Sequence, residues 1–248
     1  MLTHETLQNR LSAPFRYHAS VDSSNDLAIN WLKSGALAGS VIIADEQRKG
    51  RGRKGRTWYT PPGVALALSV ILKPPPQAAG RVSMLAAVSV AELAESLNIP
   101  QVGIKWPNDV QIAGKKVCGI LPEAVWERDK LVGVVLGMGV NVRVKFEGDL
   151  IETATSLQHH VADELNRVDL IAYLMQRIEA WSQLISGDAL FRAWYSRLNT
   201  IGQHVTINEL QGIVKDVTEE GTLLLKTPSG KIERIIAGDV YLTPPDTA

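Results

Sequence analysis

The sequence predicts an α+β fold: a mixed, largely antiparallel sheet flanked by helices, followed by a small C-terminal β-barrel. Three observations carry that expectation. Residues 102–142 hold four successive strand-like runs separated by short turns, which implies a largely antiparallel meander. Val82, Ala86, Val90, Leu93 and Leu97 recur at spacings of four, four, three and four, one apolar stripe of a helix. After Gly202, five short apolar runs are broken by Gly221 and Ser229-Gly230, the pattern of a small barrel. The expected division is a domain at 1–200 and a small one at 201–248.

In chain order, the side chains of residues 22–25 offer helix caps. Leu27, Ala28, Trp31 and Leu32 then share one helical face until Gly35 stops it. Residues 41–44 read as a strand entering a basic loop, and Pro61-Pro62-Gly63 turns the chain into a second strand over 64–72. Beyond Pro74-Pro75-Pro76 comes the 82–97 helix, then strands at 102–106, 110–112, 116–125 and 131–142. Leu170, Leu174, Ile178, Trp181 and Leu184 make residues 170–198 helical. The terminal strands fall at 205–207, 212–217, 222–227, 233–236 and 240–242.

With 248 residues, 45% hydrophobic and 21% charged, the chain can bury a substantial core. Its 26 basic and 26 acidic residues cancel, which argues against a dedicated nucleic-acid protein. One cysteine, Cys118, excludes an internal disulfide and a multi-cysteine zinc site and suits a reducing cytosol, so a cytoplasmic location is expected. Residues 1–10 lack a signal-peptide core, and the 64–72 run is far shorter than the ~20 residues of a membrane span.

Charge is concentrated instead in Gly50-Arg51-Gly52-Arg53-Lys54-Gly55-Arg56, where four cations and three glycines share seven positions ahead of Trp58. Glycine allows close backbone approach, and arginine supplies forked donors for phosphate or carboxylate oxygens. The segment nearly spells the phosphate loop of nucleotide hydrolases and also matches dinucleotide-fingerprint glycine spacing. Both motifs require a helix directly after the glycines, whereas Pro61-Pro62 and a strand follow here. What remains is a mobile cationic flap between strands, disordered without ligand and closing over bound anions to exclude water.

Three further constellations bear on chemistry. Lys105-Trp106-Pro107-Asn108-Asp109 gathers a cation, an aromatic face, an amide and a carboxylate at a proline turn, with Asp109 a candidate magnesium ligand. Lys116-Val117-Cys118-Gly119-Ile120-Leu121 opens an apolar strand with an ammonium, and Gly119 admits a ligand ring to the backbone; Cys118 reads as packing. Gly137-Met138-Gly139-Val140-Asn141 closes another strand with two glycines and an amide, permitting backbone contact with a flat ligand. Each also reads as ordinary turn or strand-end chemistry when taken alone.

Together with Ser23-Ser24-Asn25, these segments resemble the biotin protein ligase family in order and spacing, over residues 20 to 145. The resemblance implies a class II synthetase-like catalytic domain. It also implies two reactions: biotin is activated by ATP to biotinyl-adenylate, then passed to a lysine of a biotin carboxyl carrier domain. The departures are Ser24 where the family often has threonine, Cys118 and Met138 at usually small positions, and extra charge at Arg48-Lys49. Only 22 residues precede Ser23, so the resemblance is to the monofunctional type without a DNA-binding domain. Family members can be dimeric, so the resemblance leaves monomer and homodimer both open; no DNA or membrane partner is expected.

Carried over residue by residue, the resemblance makes Lys116, Arg51 and Arg53 the catalytic cations. Ser23, Ser24, Asn25, Gln47, Gly50, Arg51, Lys116 and Gly119 form the biotin side. Arg53, Arg56, Trp58, Asn108, Asp109 and Asn141 form the ATP side, with magnesium at Asp109. Biotin's carboxylate and ATP's phosphates repel, so activation needs cations and alignment more than a protein nucleophile. The nearest rival is a lipoate or octanoate attachment enzyme of the same broad fold. A biotin-responsive regulator and a nucleic-acid protein using the loop alone are the readings from other classes.

Overall fold

The structure, a computed structural model, describes residues 2–243; residue 1 and residues 244–248 of the expected domains lie outside the described residues. A short helix, α1 (His4–Gln8), leads into strand β1 (Phe15–Val21). Helix α2 (Ser24–Lys33) starts at Ser23, whose hydroxyl accepts from the Asp26 amide, and ends before Gly35 at φ +93°. Strand β2 (Val41–Gln47), the basic loop and strand β3 (Ala65–Leu72) follow. Then come α3 (Val82–Ser96), β4 (Val102–Lys105), β5 (Asp109–Ile112), β6 (Lys115–Glu127) and β7 (Lys130–Asn141).

These seven strands form one sheet in the order β1-β2-β3-β7-β6-β5-β4. Only β1 and β2 run parallel; all other neighbours are antiparallel. The sheet is therefore mixed and mostly antiparallel, as the turn-separated runs predict. β3 is buried at all eight positions because both its faces are covered. Ala28 and Leu32 of α2 pack with Ile42, Ile71 and Val135 on one face. Leu66, Leu68 and Val70 join the main core with α3 on the other.

Helix α3 differs from the one-stripe expectation, since it is buried on nearly every side. Ala86, Ala87, Ala91 and Ala94 let neighbours approach faces that a stripe of large residues leaves unspecified. Those neighbours are the sheet and two later helices, reached through α4 (Leu150–Thr153). The single helical stretch expected over 170–198 is two helices, α5 (Arg167–Gln183) and α6 (Asp188–Tyr195), parted at Gly187. Sequence reading also leaves out β1, an edge strand whose partly exposed residues blur its apolar alternation.

The terminal strands β8 (His204–Ile207), β9 (Leu210–Val217), β10 (Leu223–Lys226), β11 (Ile232–Ile235) and β12 (Tyr241–Leu242) form an antiparallel sheet ordered β11-β10-β9-β8-β12. Its buried residues Val205, Val214, Leu223 and Leu225 merge with the main core. Trp106, 2% exposed, joins the two sheets: its amide donates to Thr200 Oγ1 at 2.9 Å and its indole to the Gly221 carbonyl at 2.8 Å. Trp106 and Pro107 are linked by a cis peptide bond. Its buried ring and these two hydrogen bonds fasten the C-terminal sheet to the main one.

Candidate active site

The start of α2, the end of β2, the start of β5 and the glycine-bearing strands β6 and β7 surround a hollow of about 200 Å³ beneath the basic loop. Ser23, Ser24, Asn25, Gln47, Arg51, Arg53, Arg56, Trp58, Asn108, Asp109, Lys116 and Gly119 all line it. Asn141 opens instead on an adjoining hollow of about 580 Å³, which shares Arg56, Trp58, Asp109 and Lys116 with the first and adds Lys105. A larger hollow of about 1050 Å³, between residues 10–14, β3 and α5, contains none of the predicted site residues.

One wall is a buried polar network. Gln47 Oε1 accepts from both the amide and the hydroxyl of Ser24 at 2.9 Å, and Gln47 Nε2 donates to Thr60. The Ser69 hydroxyl, fully buried on β3, stands 2.8 Å from Ser24 Oγ and donates to Asn25 Oδ1 at 2.6 Å. Asn25 Nδ2 donates to Glu123 at 2.5 Å and to the Leu121 carbonyl. A β-carbon at Gly137 would strike the Asn25 side chain, so this amide needs a glycine across from it. Ser23 lines the hollow while its hydroxyl serves as the cap of α2.

The lid is the basic loop, an excursion between β2 and β3 closed by Trp58 N–H donating to the Gly50 carbonyl and Gly52 N–H to the Arg56 carbonyl. Gly50 stands at its base, outside the lining of the hollow, where a β-carbon would overlap the Trp58 carbonyl. A 3-10 turn, Arg53–Gly55, forms its tip, with Lys54 and Gly55 at positive φ. Its cations point in different directions. Arg51 grips Asp26 through both terminal nitrogens, at 2.7 and 2.8 Å, with Glu123 at 3.4 Å, and Asp26 raises its pKa further. Arg53 donates to Asn108 Oδ1 at 3.1 Å and to the Gly238 carbonyl at 3.4 Å. Arg56 and Lys54 meet Asp239 of the C-terminal segment at 2.5 and 3.4 Å.

Trp58 swings from the lid onto β6 and β7. Its ring presses on Gly119 and Gly139, where added β-carbons would collide with it, and its indole nitrogen is buried without a hydrogen-bond partner. The space beside Gly119 expected to hold a ligand ring is thus occupied by a protein ring. Lys116 stands at the junction of the two hollows, 2.6 Å from Asp109 and 5.4 Å from the Trp58 ring centre. Asn108 donates to the Ile120 carbonyl at 2.6 Å, fixing the proline turn to β6. Asn141 is buried and donates to the Thr155 and Lys116 carbonyls, a brace for the strand that carries Lys116.

Electrostatics separate working groups from packing. Burial pushes the Lys105 ammonium below its ordinary pKa, with Asp109 opposing and Lys116 reinforcing the shift. Burial pushes the Cys118 thiol far up, so it stays protonated and unreactive. Among the described residues no three His, Cys, Asp or Glu side chains gather as a metal site.

Sequence reading leaves out Asp26, Ser69, Glu123 and Asp239. Asp26 follows the capping serines and Glu123 alternates on β6, both local signals. Ser69 hides in an apolar run, and Asp239 reaches Arg56 from 183 residues away, which no local pattern reveals.

A site of this kind belongs to a known group of enzymes. Residues 17–141 match the family model described as the biotin/lipoate A/B protein ligase family, and residues 200–243 match the biotin protein ligase C-terminal domain. The chain belongs to the biotin/lipoate A/B protein ligase family. Among its relatives, the bifunctional ligase/repressor BirA of Bacillus subtilis is 32% identical, covering 91% of this chain and 73% of that protein. The biotin--[acetyl-CoA-carboxylase] ligase of Mycobacterium tuberculosis is 34% identical over 90% of this chain and 86% of its own length. A solved structure of the biotin protein ligase from Aquifex aeolicus, in complex with biotin and ATP, superposes with a TM-score of 0.77 at 25% identity, covering 94% of this chain and 99% of that one.

Proposed function

We propose that the chain is an ATP-dependent biotin protein ligase that attaches biotin to a lysine of a biotin carboxyl carrier domain. The observation that carries this reading is one hollow in which a neutral hydrogen-bonding wall meets Lys116 and a lid of arginines. The wall suits a buried urea, which needs paired donors and acceptors because an unsatisfied polar group is costly to bury. The lid suits two anions that must be held together.

In the first step a biotin carboxylate oxygen attacks the α-phosphorus of ATP, the bond to the bridging oxygen breaks, and pyrophosphate leaves. Lys116 and Arg53 offset the charge that builds on the reacting oxygens, while Arg56 and Lys105 face the phosphate tail in the adjoining hollow. In the second step the neutral amine of the carrier lysine attacks the acyl carbon. The acyl–phosphate bond breaks, AMP leaves, and the amine releases its proton. Trp58 and the lid keep water from the mixed anhydride between the steps. Arg51, held by Asp26, anchors the lid to α2 and presents the loop amides.

Magnesium would enter with the nucleotide, and Asp109 is the carboxylate beside that position. We divide the chain into a catalytic unit to residue 200 and a C-terminal unit from 201. Among the described residues no helix is long and apolar enough to cross a membrane, in keeping with the cytoplasmic location we assign.

The test supplies purified protein with ATP, magnesium and a carrier domain, compares biotin with lipoate, and follows both pyrophosphate and the modified lysine. Biotin-dependent pyrophosphate release and a biotinylated lysine are expected. Lipoylation in preference, or an unmodified lysine with biotin, would overturn the reading.

A further inference from the structure

The lid leaves β2 at Gln47 and rejoins the sheet at Ala65, and its two stems are held differently. On the first stem, the amides of Arg48 and Lys49 donate to the Val21 and Asp22 carbonyls, and their exposed side chains meet the Asp22 carboxylate at 2.8 and 2.9 Å. On the second stem, the regular pairing of β2 with β3 ends at Ala44 and Ala67 and resumes only as the Gln47–Thr60 bridge. Asp45 fills the gap, its Oδ1 accepting from the Gly63 amide at 3.2 Å. The same oxygen accepts from Arg167 Nη1 at 2.5 Å, and that nitrogen also donates to the Ala65 carbonyl at 3.2 Å. One guanidinium thus ties together β2, the turn at Gly63 and the first residue of β3. Arg167 opens α5, where a cation opposes the helix dipole, so its place there is set by what it reaches. Its side chain is 9% exposed and that of Asp45 21%, and neither lines the hollow or its neighbour. Exposed pairs such as those of Asp22 yield readily to water, whereas removing one partner of a buried pair strands the other charge. The first stem can therefore release while the second stays fixed.

We propose that Arg167 is a positioning residue for adenylate formation: acting through Asp45, it makes residues 60–65 the fixed pivot from which residues 48–58 close over the hollow. The inference rests on the biotin reading above. It gives α5, which lines neither hollow of the site, a part in the reaction.

The experiment compares the full chain with its Arg167→Met, Arg167→Lys and Leu174→Ala variants, each assayed well below its own melting temperature. Leu174, fully buried two turns further along the same helix, controls for lost stability alone. Trypsin cleavage of the ligand-free protein at Arg51, Arg53, Lys54 and Arg56 reports the lid, and biotin-dependent pyrophosphate exchange reports the chemistry. Arg167→Met should raise cleavage about tenfold and slow exchange by about tenfold or more, since a small misplacement far from the reacting atoms can cost about 10²-fold. Arg167→Lys, which keeps a charge for Asp45, should recover most of both, and Leu174→Ala should melt earlier with cleavage and exchange near wild type. Equal losses in Arg167→Met and Leu174→Ala, wild-type protection in Arg167→Met, or a lysine no better than methionine would each overturn the proposal. Should Arg167→Met not fold, Asp45→Asn decides: its oxygen still accepts from Gly63 but carries no charge, so cleavage should rise, and unchanged protection overturns the proposal. A wild type that makes no biotinyl-adenylate overturns the functional reading instead, and the cleavage comparison still judges the pivot.

Discussion

The two sides of the hollow hold their residues by opposite means. On the α2–β2–β3 side, neutral groups such as Ser24, Asn25 and Ser69 are nearly or fully buried and satisfied by short hydrogen bonds among themselves. On the lid side, Arg51 and Arg56 keep 41% and 58% of their side chains exposed and are held by carboxylates within reach of water. Exposed ion pairs are worth about 0–1 kcal/mol and weaken with salt, whereas a buried polar network is costly to break. The neutral side is therefore the rigid one, and the lid side is the one that can let go.

The largest expected effect lies where the sides meet. Lys116→Ala removes a cation shared by both hollows and leaves Asp109 without its 2.6 Å partner. Biotin-dependent pyrophosphate exchange should fall by about 10²–10³-fold, the scale of losing a transition-state donor, with an unchanged circular-dichroism spectrum. A normal exchange rate would take Lys116 out of the chemistry.

Next comes the contact that seats the lid. Gly139→Ala puts a methyl group into the Trp58 ring, an overpacking of about 1–3 kcal/mol that the lid relieves by lifting. Limited trypsin digestion at Arg51, Arg53, Lys54 and Arg56 reports lifting directly, and cleavage there should rise by about tenfold or more, given tenfold per 1.4 kcal/mol. Protection equal to wild type would mean that the ring has another resting place. The same assay on unmodified protein, with and without biotin and ATP, tests whether ligands order the loop.

This contrast also explains what the sequence could show. The antiparallel meander, α2 with its Ser23 cap and the β3 run were legible because turn residues and apolar periodicity are local. Most residues that line the hollow were legible too, and Gly50, Gly119 and Gly139 mark backbones that something must approach closely. What approaches them was not: the occupant beside Gly119 is Trp58, brought there by the path of the loop. Asp239 and Ser69 were equally hidden, one because its partners are distant in sequence, the other because a serine in ALALSVIL reads as a neutral member of a buried strand. The break at Gly187 was masked by helical periodicity continuing on either side of it.

A smaller effect sharpens the role of the C-terminal segment. Asp239 pairs with Arg56 and Lys54, and Arg53 reaches the neighbouring Gly238 carbonyl. Asp239→Ala should loosen the lid by about 1 kcal/mol, roughly a fivefold rise in tryptic cleavage at low salt. That difference should vanish near 1 M salt, where screening reaches about 3 Å. Arg53→Gly, which also loses the Asn108 bond, should add faster escape of biotinyl-adenylate, read by trapping the released compound. Unchanged retention of the adenylate would show that Arg53 does not hold the lid over it.

The smallest expected effect is a pH slope from Lys105. Burial depresses its folded pKa below 10.5, so between the depressed value and 10.5 the unfolded chain binds more protons than the folded one. Stability contributed at this position should therefore rise as pH climbs through that window and be lowest below it. Nucleotide phosphates in the adjoining hollow reverse the sign, because an anion beside the ammonium raises its pKa again. ATP affinity should then fall across the same alkaline window while biotin affinity holds, and ATP binding there should take up protons, measured by calorimetry in buffers of different ionisation enthalpy. Lys105→Met should abolish that uptake and weaken ATP more than biotin. If proton uptake persists in the variant, the phosphate tail does not lie against Lys105, and the adjoining hollow serves something other than the nucleotide.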